Sequence, residues 1–266
     1  MSLGFSVDDL LPRARGGGQL KMGLVSLPED QWLHPGADVS ARQAAFAAQP
    51  DSIQLSPAAA APGQELARIC GVDGGLPEVS ATHHEDMCIL TRQPDEDIYR
   101  LVGAAVAYPT DWHPGEKMGL PLAAMHAPIQ GYQEQLASGV DHFMAKLKPG
   151  KIFGRCNWFI APTPSLRWIA DPAPETAFGH VTSENAGDTL FVRSERQALR
   201  RLPETGAIVF TIGVYLASLG SLARDNVAML AGAMRSLLNG EGDRRGSPYY
   251  AQALIEYAAT HKEIPA

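Results

Sequence analysis

Apolar residues alternate along 207–215. Ile208, Phe210, Ile212 and Val214 take one face of an extended chain; Val209, Thr211, Gly213 and Tyr215 take the other. Four more runs have strand character, at 87–92, 98–107, 155–161 and 189–195. The first two of the five are about five residues apart, close enough for a hairpin. A helical spacing replaces the alternation elsewhere. Tyr132, Leu136, Val140, Phe143, Met144 and Leu147 form one stripe, stopped by Pro149-Gly150. Leu219, Leu222, Val227, Leu230, Met234 and Leu237 form a second, stopped by Asn239-Gly240. A third helix opens at Ser247-Pro248, with Ser as N-cap and Pro in the first turn, and puts Tyr250, Leu254 and Tyr257 on one face. Five strands without strict βαβ alternation predict an α+β fold: one antiparallel sheet with helices against a face, and no Rossmann sheet.

The linkers are short on signal. Residues 1–19 carry Asp8, Asp9, Arg13, Arg15 and a Gly16-Gly17-Gly18 run, which reads as a flexible tail ahead of a single domain over 20–266. Residues 58–63 and the Pro-, Ala- and Asp-rich stretch 161–187 read as loops. With 266 residues, 45% hydrophobic and 19% charged, the chain has enough apolar material for one sizeable core.

Charge and cysteines narrow the classes. The net charge is −7, which argues against a general nucleic-acid binder, since phosphate contacts are made by Lys and Arg. No apolar run is long enough to span a membrane, and the opening residues lack the order of a signal peptide. Cys70, Cys88 and Cys156 are odd in number and widely spaced, so a reducing, cytoplasmic setting is expected. Three scattered thiols do not make an ordinary iron–sulfur cluster or a four-cysteine zinc site.

Nucleotide-binding and hydrolase motifs are absent: no Gly-x-x-x-x-Gly-Lys-Ser/Thr, no Gly-x-Gly-x-x-Gly after a strand, no Gly-x-Ser-x-Gly. His83-His84-Glu85-Asp86 holds metal-ligand residue types, but adjacent residues of an extended chain face opposite ways. The His-x-Glu half of a zinc-deaminase signature lacks its Pro-Cys-x-x-Cys partner, and a solvated loop before a strand is the expectation. His126 is a different case. It sits among Leu120, Leu122, Met125 and Ile129. A neutral imidazole in an apolar wall suits an axial haem ligand, but spacing alone favours the plainer reading, a core histidine satisfied by a backbone carbonyl. Arg193, Arg196, Arg200 and Arg201 cluster in an otherwise acidic chain. They suit bidentate recognition of an anion such as a haem propionate, or a solvated turn with internal Arg–Glu pairs.

Several stretches, in one order, resemble the haem-dependent oxidative N-demethylase family. They are Lys21-Met22-Gly23-Leu24, Glu85-Asp86-Met87-Cys88-Ile89-Leu90, Pro109-Thr110-Asp111-Trp112, Glu116-Lys117-Met118-Gly119, His126-Ala127-Pro128-Ile129, Arg155-Cys156-Asn157-Trp158 and Phe210-Thr211-Ile212. The most specific is the run from Arg193 to Pro203, read as Arg-x-Glu-Arg-Gln-x-Leu-x-Arg-Leu-Pro; the resemblance spans about residues 20–240. It implies a PAS-like fold, a five-stranded antiparallel sheet with flanking helices enclosing haem b. It implies O2-dependent oxidation of a small methylated amine to the demethylated amine and formaldehyde. Electrons would come from a separate reductase carrying flavin and an iron–sulfur centre. An assembly of like or unlike chains is compatible with the sequence.

On this resemblance His126 ligates the iron, Arg193 and Arg196 pair with the propionates, and Lys117 adds positive charge. Trp158 supports the cofactor, while Asn157 and Tyr215 line the catalytic pocket; Cys156 is the alternative ligand. Two positions depart from the family pattern. Pro128-Ile129-Gln130 stands where Pro-Val-Pro is expected, and Gly213 stands where an arginine is expected. Gly213 keeps open a second reading, a non-catalytic haem or small-molecule sensor on the same fold. A third reading is a structural or partner-binding subunit without cofactor.

Overall fold

The computed structural model describes residues 3–11, 20–36, 38–93, 96–129, 131–169, 172–236 and 246–260. Seven strands form one sheet: β1 (Val25–Leu27), β2 (Ile53–Leu55), β3 (Asp86–Thr91), β4 (Arg100–Ala105), β5 (Ile152–Ala161), β6 (Phe191–Arg201) and β7 (Ile208–Ser218). Their order is β1-β5-β6-β7-β3-β4-β2. The pairings β1–β5, β2–β4, β3–β4 and β3–β7 are antiparallel. All five runs expected from the sequence are strands, shifted by a few residues at their ends. The count of five is corrected to seven by β1 and β2, which are three residues each and lie at the two edges. They were silent because three residues cannot display a period.

The described residues also hold eleven α-helices, six of them with seven residues or more. These are α1 (Ser40–Ala48), α2 (Ala60–Cys70), α3 (Leu76–Thr82), α4 (Ser138–Lys146), α5 (Arg224–Ser236) and α6 (Ala251–Thr260). The stripe at 132–147 begins with a π-turn at Gln133–Ala137 before α4. The second stripe buries Leu219, Leu222, Val227, Leu230 and Met234; its expected Asn239-Gly240 stop lies outside the described residues. The third buries Tyr250, Leu254 and Tyr257. Ser247 starts a 3-10 turn after Gly246 and makes no side-chain cap. Within the expected tail, Val7–Leu10 form a helical turn capped by the Ser6 hydroxyl, with Leu3, Leu10 and Leu11 buried. The glycine run 16–18 lies outside the described residues.

The chain divides into two compact units. The first holds Leu20–Arg155 and Arg196–Val214; the second holds Gly4–Gln19, Cys156–Glu195 and Tyr215–Ala266. In the first, β3 is almost wholly buried and runs between β4 and β7. One apolar cluster gathers Leu90, Tyr99, Leu122, Met144, Leu147 and Ile208. Another gathers Cys88, Leu101, Ala104 and Val106. Met125 and Phe210 pack against both. Gly103 on β4 is required by close packing: a Cβ there would lie 2.9 Å from the Ala59 methyl.

Candidate functional site

His126 follows the single helical turn Leu122–Met125 in the first unit. Pro121 opens that turn, and Leu122 and Met125 anchor it in the apolar clusters. The turn ends on His126, whose backbone N–H and ring Nδ1 both reach the Leu122 carbonyl, Nδ1 at 2.8 Å. A carbonyl only accepts, so Nδ1 carries the hydrogen and Nε2 holds the lone pair. The ring stacks on Tyr132, with centroids 4.6 Å apart and planes 13° from parallel. Burial is the main cause lowering the His126 pKa; the Leu122 hydrogen bond opposes it, and the Arg155 and Lys117 charges add to it. The imidazole is therefore neutral at neutral pH, as a metal ligand must be.

Lys117 comes to the same turn, donating from Nζ to the Met125 carbonyl at 3.3 Å. It ends the helical turn Pro114–Lys117. Trp112 and Met118, on either side of that turn, pack against the cluster around Cys88. Asp111, at the head of this loop, has φ +58°, the only positive value among described non-glycine residues. His126 and Lys117 are thus brought to one short segment, with apolar side chains behind it.

Arg196, also in the first unit, is 1% exposed and serves a different place. It donates to the carbonyls of Trp32, at 3.0 Å, and Gln31. Arg200 pairs with Glu29 and stacks over the Trp32 ring. Arg201 donates to the carbonyls of Leu147, Met144 and Gly206 and to the Tyr99 hydroxyl, each at 2.6 Å. Arg196 and Arg201 therefore knit loops to β6 through backbone oxygens, while Arg200 does so through the Glu29 carboxylate.

Arg193, Asn157, Trp158 and Tyr215 belong to the second unit. Arg193 is fully buried and donates to the Leu166 carbonyl at 2.6 Å. The Asn157 side chain accepts the Trp158 N–H, and Trp158 and Tyr215 are both buried. The Cys156 thiol donates to the Leu10 carbonyl. Gly213 is a buried position of β7. Gln130 lies outside the described residues.

The segment 83–86 is not the solvated loop its polarity indicated. Glu85 and Asp86 are each 1% exposed. Asp86 pairs with buried Arg42 at 2.6 Å and accepts the Ala107 N–H at 2.7 Å. Arg42 also donates to the Ser80 hydroxyl and to the carbonyls of Ser80, His84 and Glu85. His84 donates from Nε2 to the Val214 carbonyl and lies 5.0 Å from the His34 ring, centroid to centroid. A cavity of about 410 Å³ lies here, lined among others by Asp30, Trp32, His34, His83 and His84. The available signal was a charged pair directly preceding an apolar strand, matched by one arginine in the Ala-rich α1.

Among the described residues no three His, Cys, Asp or Glu side chains are grouped to hold a bare metal ion. The donor set at His126 is a single neutral imidazole, which fits an iron whose other ligands come from a macrocycle. Comparison with known protein families matches residues 75–255 to "haem-dependent oxidative N-demethylase, alpha subunit-like". The match takes in more than half of the chain, including His126, Lys117 and the β6 arginines. The protein belongs to the haem-dependent oxidative N-demethylase alpha-subunit-like family.

Proposed function

We propose that the protein is a haem-dependent oxidoreductase that removes a methyl group from a small methylated amine, with haem b ligated by His126. The observation that carries this reading is the His126 ring, uncharged, fixed at Nδ1 by the Leu122 carbonyl and directing its basic character to Nε2. A hydrogen bond from the second nitrogen is what orients and tautomerises metal-bound histidines. Lys117, whose Nζ reaches the carbonyl of the neighbouring Met125, is proposed to supply a cation for a propionate. Arg193 and Arg196 remain the proposed partners of the propionates, although each has a carbonyl partner here. Trp158 is proposed to support the cofactor, and Asn157 and Tyr215 to contact substrate. The PAS-like description of the sheet is part of the same reading.

When bound, haem supplies the activation of O2. The reaction takes one methylated amine, O2, two electrons and two protons to the demethylated amine, formaldehyde and water. This chain contributes ligation, orientation and a dry apolar wall built from Leu122, Met125 and Tyr132. The three cysteines of these 266 residues are too few for a cysteine-ligated cluster, so the electrons are proposed to come from a redox centre outside them. A flavin and iron–sulfur reductase is the proposed partner, and the family's alpha-subunit description accords with a multi-subunit assembly. Among the described residues no helix is long and apolar enough to cross a membrane. A cytoplasmic setting is the proposed location.

An absorption spectrum of the haemin-loaded protein tests the assignment. Wild type is expected to show a Soret band with imidazole ligation. His126→Ala is expected to shift that band and to weaken haemin binding at least tenfold. An unchanged spectrum and affinity reject His126, and a thiolate-type spectrum transfers the role to Cys156. Gly213, where the family pattern calls for arginine, favours a second reading as a haem sensor without turnover. Formaldehyde release from a panel of methylated amines, given O2 and reductant, supports the enzyme; its absence supports the sensor.

A further inference from the structure

The loop that begins at Pro28 and runs to Gly36 forms one wall of the 410 Å³ cavity, and Thr82, His83 and His84 form the other. Side chains and backbone both hold it: Glu29 pairs with Arg200, which stacks over the buried Trp32 ring. Arg196 takes the carbonyls of Gln31 and Trp32, and the His34 N–H donates to Glu85 Oε1 at 2.8 Å. Glu85 is 1% exposed, and among the described residues its Oε2 has no hydrogen-bond partner. A buried carboxylate oxygen without a donor is far costlier as part of an anion than of a neutral acid. The geometry therefore pairs a cavity wall, hydrogen-bonded to Glu85 through the His34 N–H, with a buried acid whose charged form lacks a donor at one oxygen.

We propose that Glu85 is a proton-operated latch: as a neutral acid it keeps loop 28–36 closed over the cavity, and its ionisation releases the loop so that the carboxylate meets water.

The surrounding charges come from several elements. Arg42 faces Glu85 from α1, Cys70 from the end of α2, Arg196 from β6 and His34 from the loop; His84 and Asp86 adjoin it in sequence, and burial foremost pushes the Cys70 thiol up to about 11, so it stays neutral. Burial pushes Glu85 up to about 7; the hydrogen bond from His34, that from its own backbone, and the Arg196 and Arg42 charges hold it back. Arg42 is itself engaged by Asp86 at 2.6 Å. An acid whose closed-state pKa lies above its hydrated value stabilises the closed state fully in acid. That stabilisation fades from about pH 4.5 and is gone above about 7. His84 works in the opposite sense. Burial foremost, then the His34 and Arg42 charges, lower it to about 4, so its contribution to closure is lost on acidification. Its Nε2 is fixed to Val214 of β7 rather than to the loop, which ties it less directly to opening.

Hydrogen exchange of the full-length protein tests this, read on peptides covering residues 28–36 and corrected for intrinsic exchange between pH 5 and 8. His84→Asn removes the opposing titration and isolates Glu85. In that background loop protection is expected to fall on the order of a hundredfold between pH 5 and 7.5, then level off. Peptides from β3 are expected to stay protected throughout. Adding Glu85→Gln, a neutral shape-match of the closed form, is expected to abolish the fall. A flat profile in His84→Asn overturns the latch. So does a fall that survives Glu85→Gln, or one shared equally by β3, which would belong to global unfolding.

Discussion

At the scale of single residues, the chain puts its buried charge to structural use. Arg42 on α1 gathers Ser80, His84, Glu85 and Asp86, and Asp86 in turn accepts the N–H groups of Ala107 and Tyr108. This knot joins α1, the end of α3, the start of β3 and the chain leaving β4, just before the Pro109–Trp112 loop. Removing one partner of such a pair leaves the other ion stranded. Arg42→Ala is expected to cost about 3–5 kcal/mol. Urea denaturation measures it, and a loss under about 1 kcal/mol would show that water satisfies Asp86 instead. The sequence revealed His126 as a residue with two roles open, ligand or core histidine. Its bond to the Leu122 carbonyl meets the structural need and leaves Nε2 for iron, so the two roles are compatible. The partners of Arg42, Arg196 and Arg201 could not be read in the same way. Most are backbone carbonyls remote in sequence, and a carbonyl has no residue type.

At the scale of elements, legibility followed length and period. Strands β3 to β7 each present enough residues for an apolar pattern, whereas β1 and β2 owe their extended form to pairing with β5 and β4. The arginine run was legible as a strand only at its start. Its charged half continues β6 to Arg201, whose guanidinium donors are satisfied by the Leu147 and Met144 carbonyls. The hairpin joining β6 to β7 has its own fastener. Glu65 on α2 accepts the N–H groups of Glu204 and Thr205 and the Thr205 hydroxyl. Burial alone would raise the Glu65 pKa, but these hydrogen bonds and the Arg68 charge together bring it below its ordinary value. The stabilisation is present above the ordinary glutamate pKa and is lost as pH falls through the lowered one. Glu65→Ala is expected to destabilise the protein by about 1–3 kcal/mol at pH 7. The difference from wild type should shrink in acid. If the gap in unfolding free energy is the same at pH 3.5 as at pH 7, the fastener is not the carboxylate.

At the scale of the molecule, the two compact units are discontinuous in sequence. Their boundaries fall at Arg155/Cys156, Glu195/Arg196 and Val214/Tyr215, inside β5, β6 and β7. No glycine- or proline-rich linker marks such a division, which is why the chain reads as one domain. Cofactor binding is expected to report on the whole chain, because anything that binds only the folded state stabilises it by mass action. At haemin concentrations about a hundredfold above Kd the gain is about 2.7 kcal/mol. For a chain of this size that raises Tm by roughly 5–10 °C. His126→Ala, with its weaker binding, should need proportionately more haemin for the same rise, while keeping the Tm of the haemin-free wild type within a few degrees. The comparison separates ligation from packing. If His126→Ala lowers the haemin-free Tm steeply and responds to haemin as wild type does, the imidazole is a core residue and iron is held elsewhere. If neither protein responds to excess haemin, the haem-dependent reading fails for this chain as a whole.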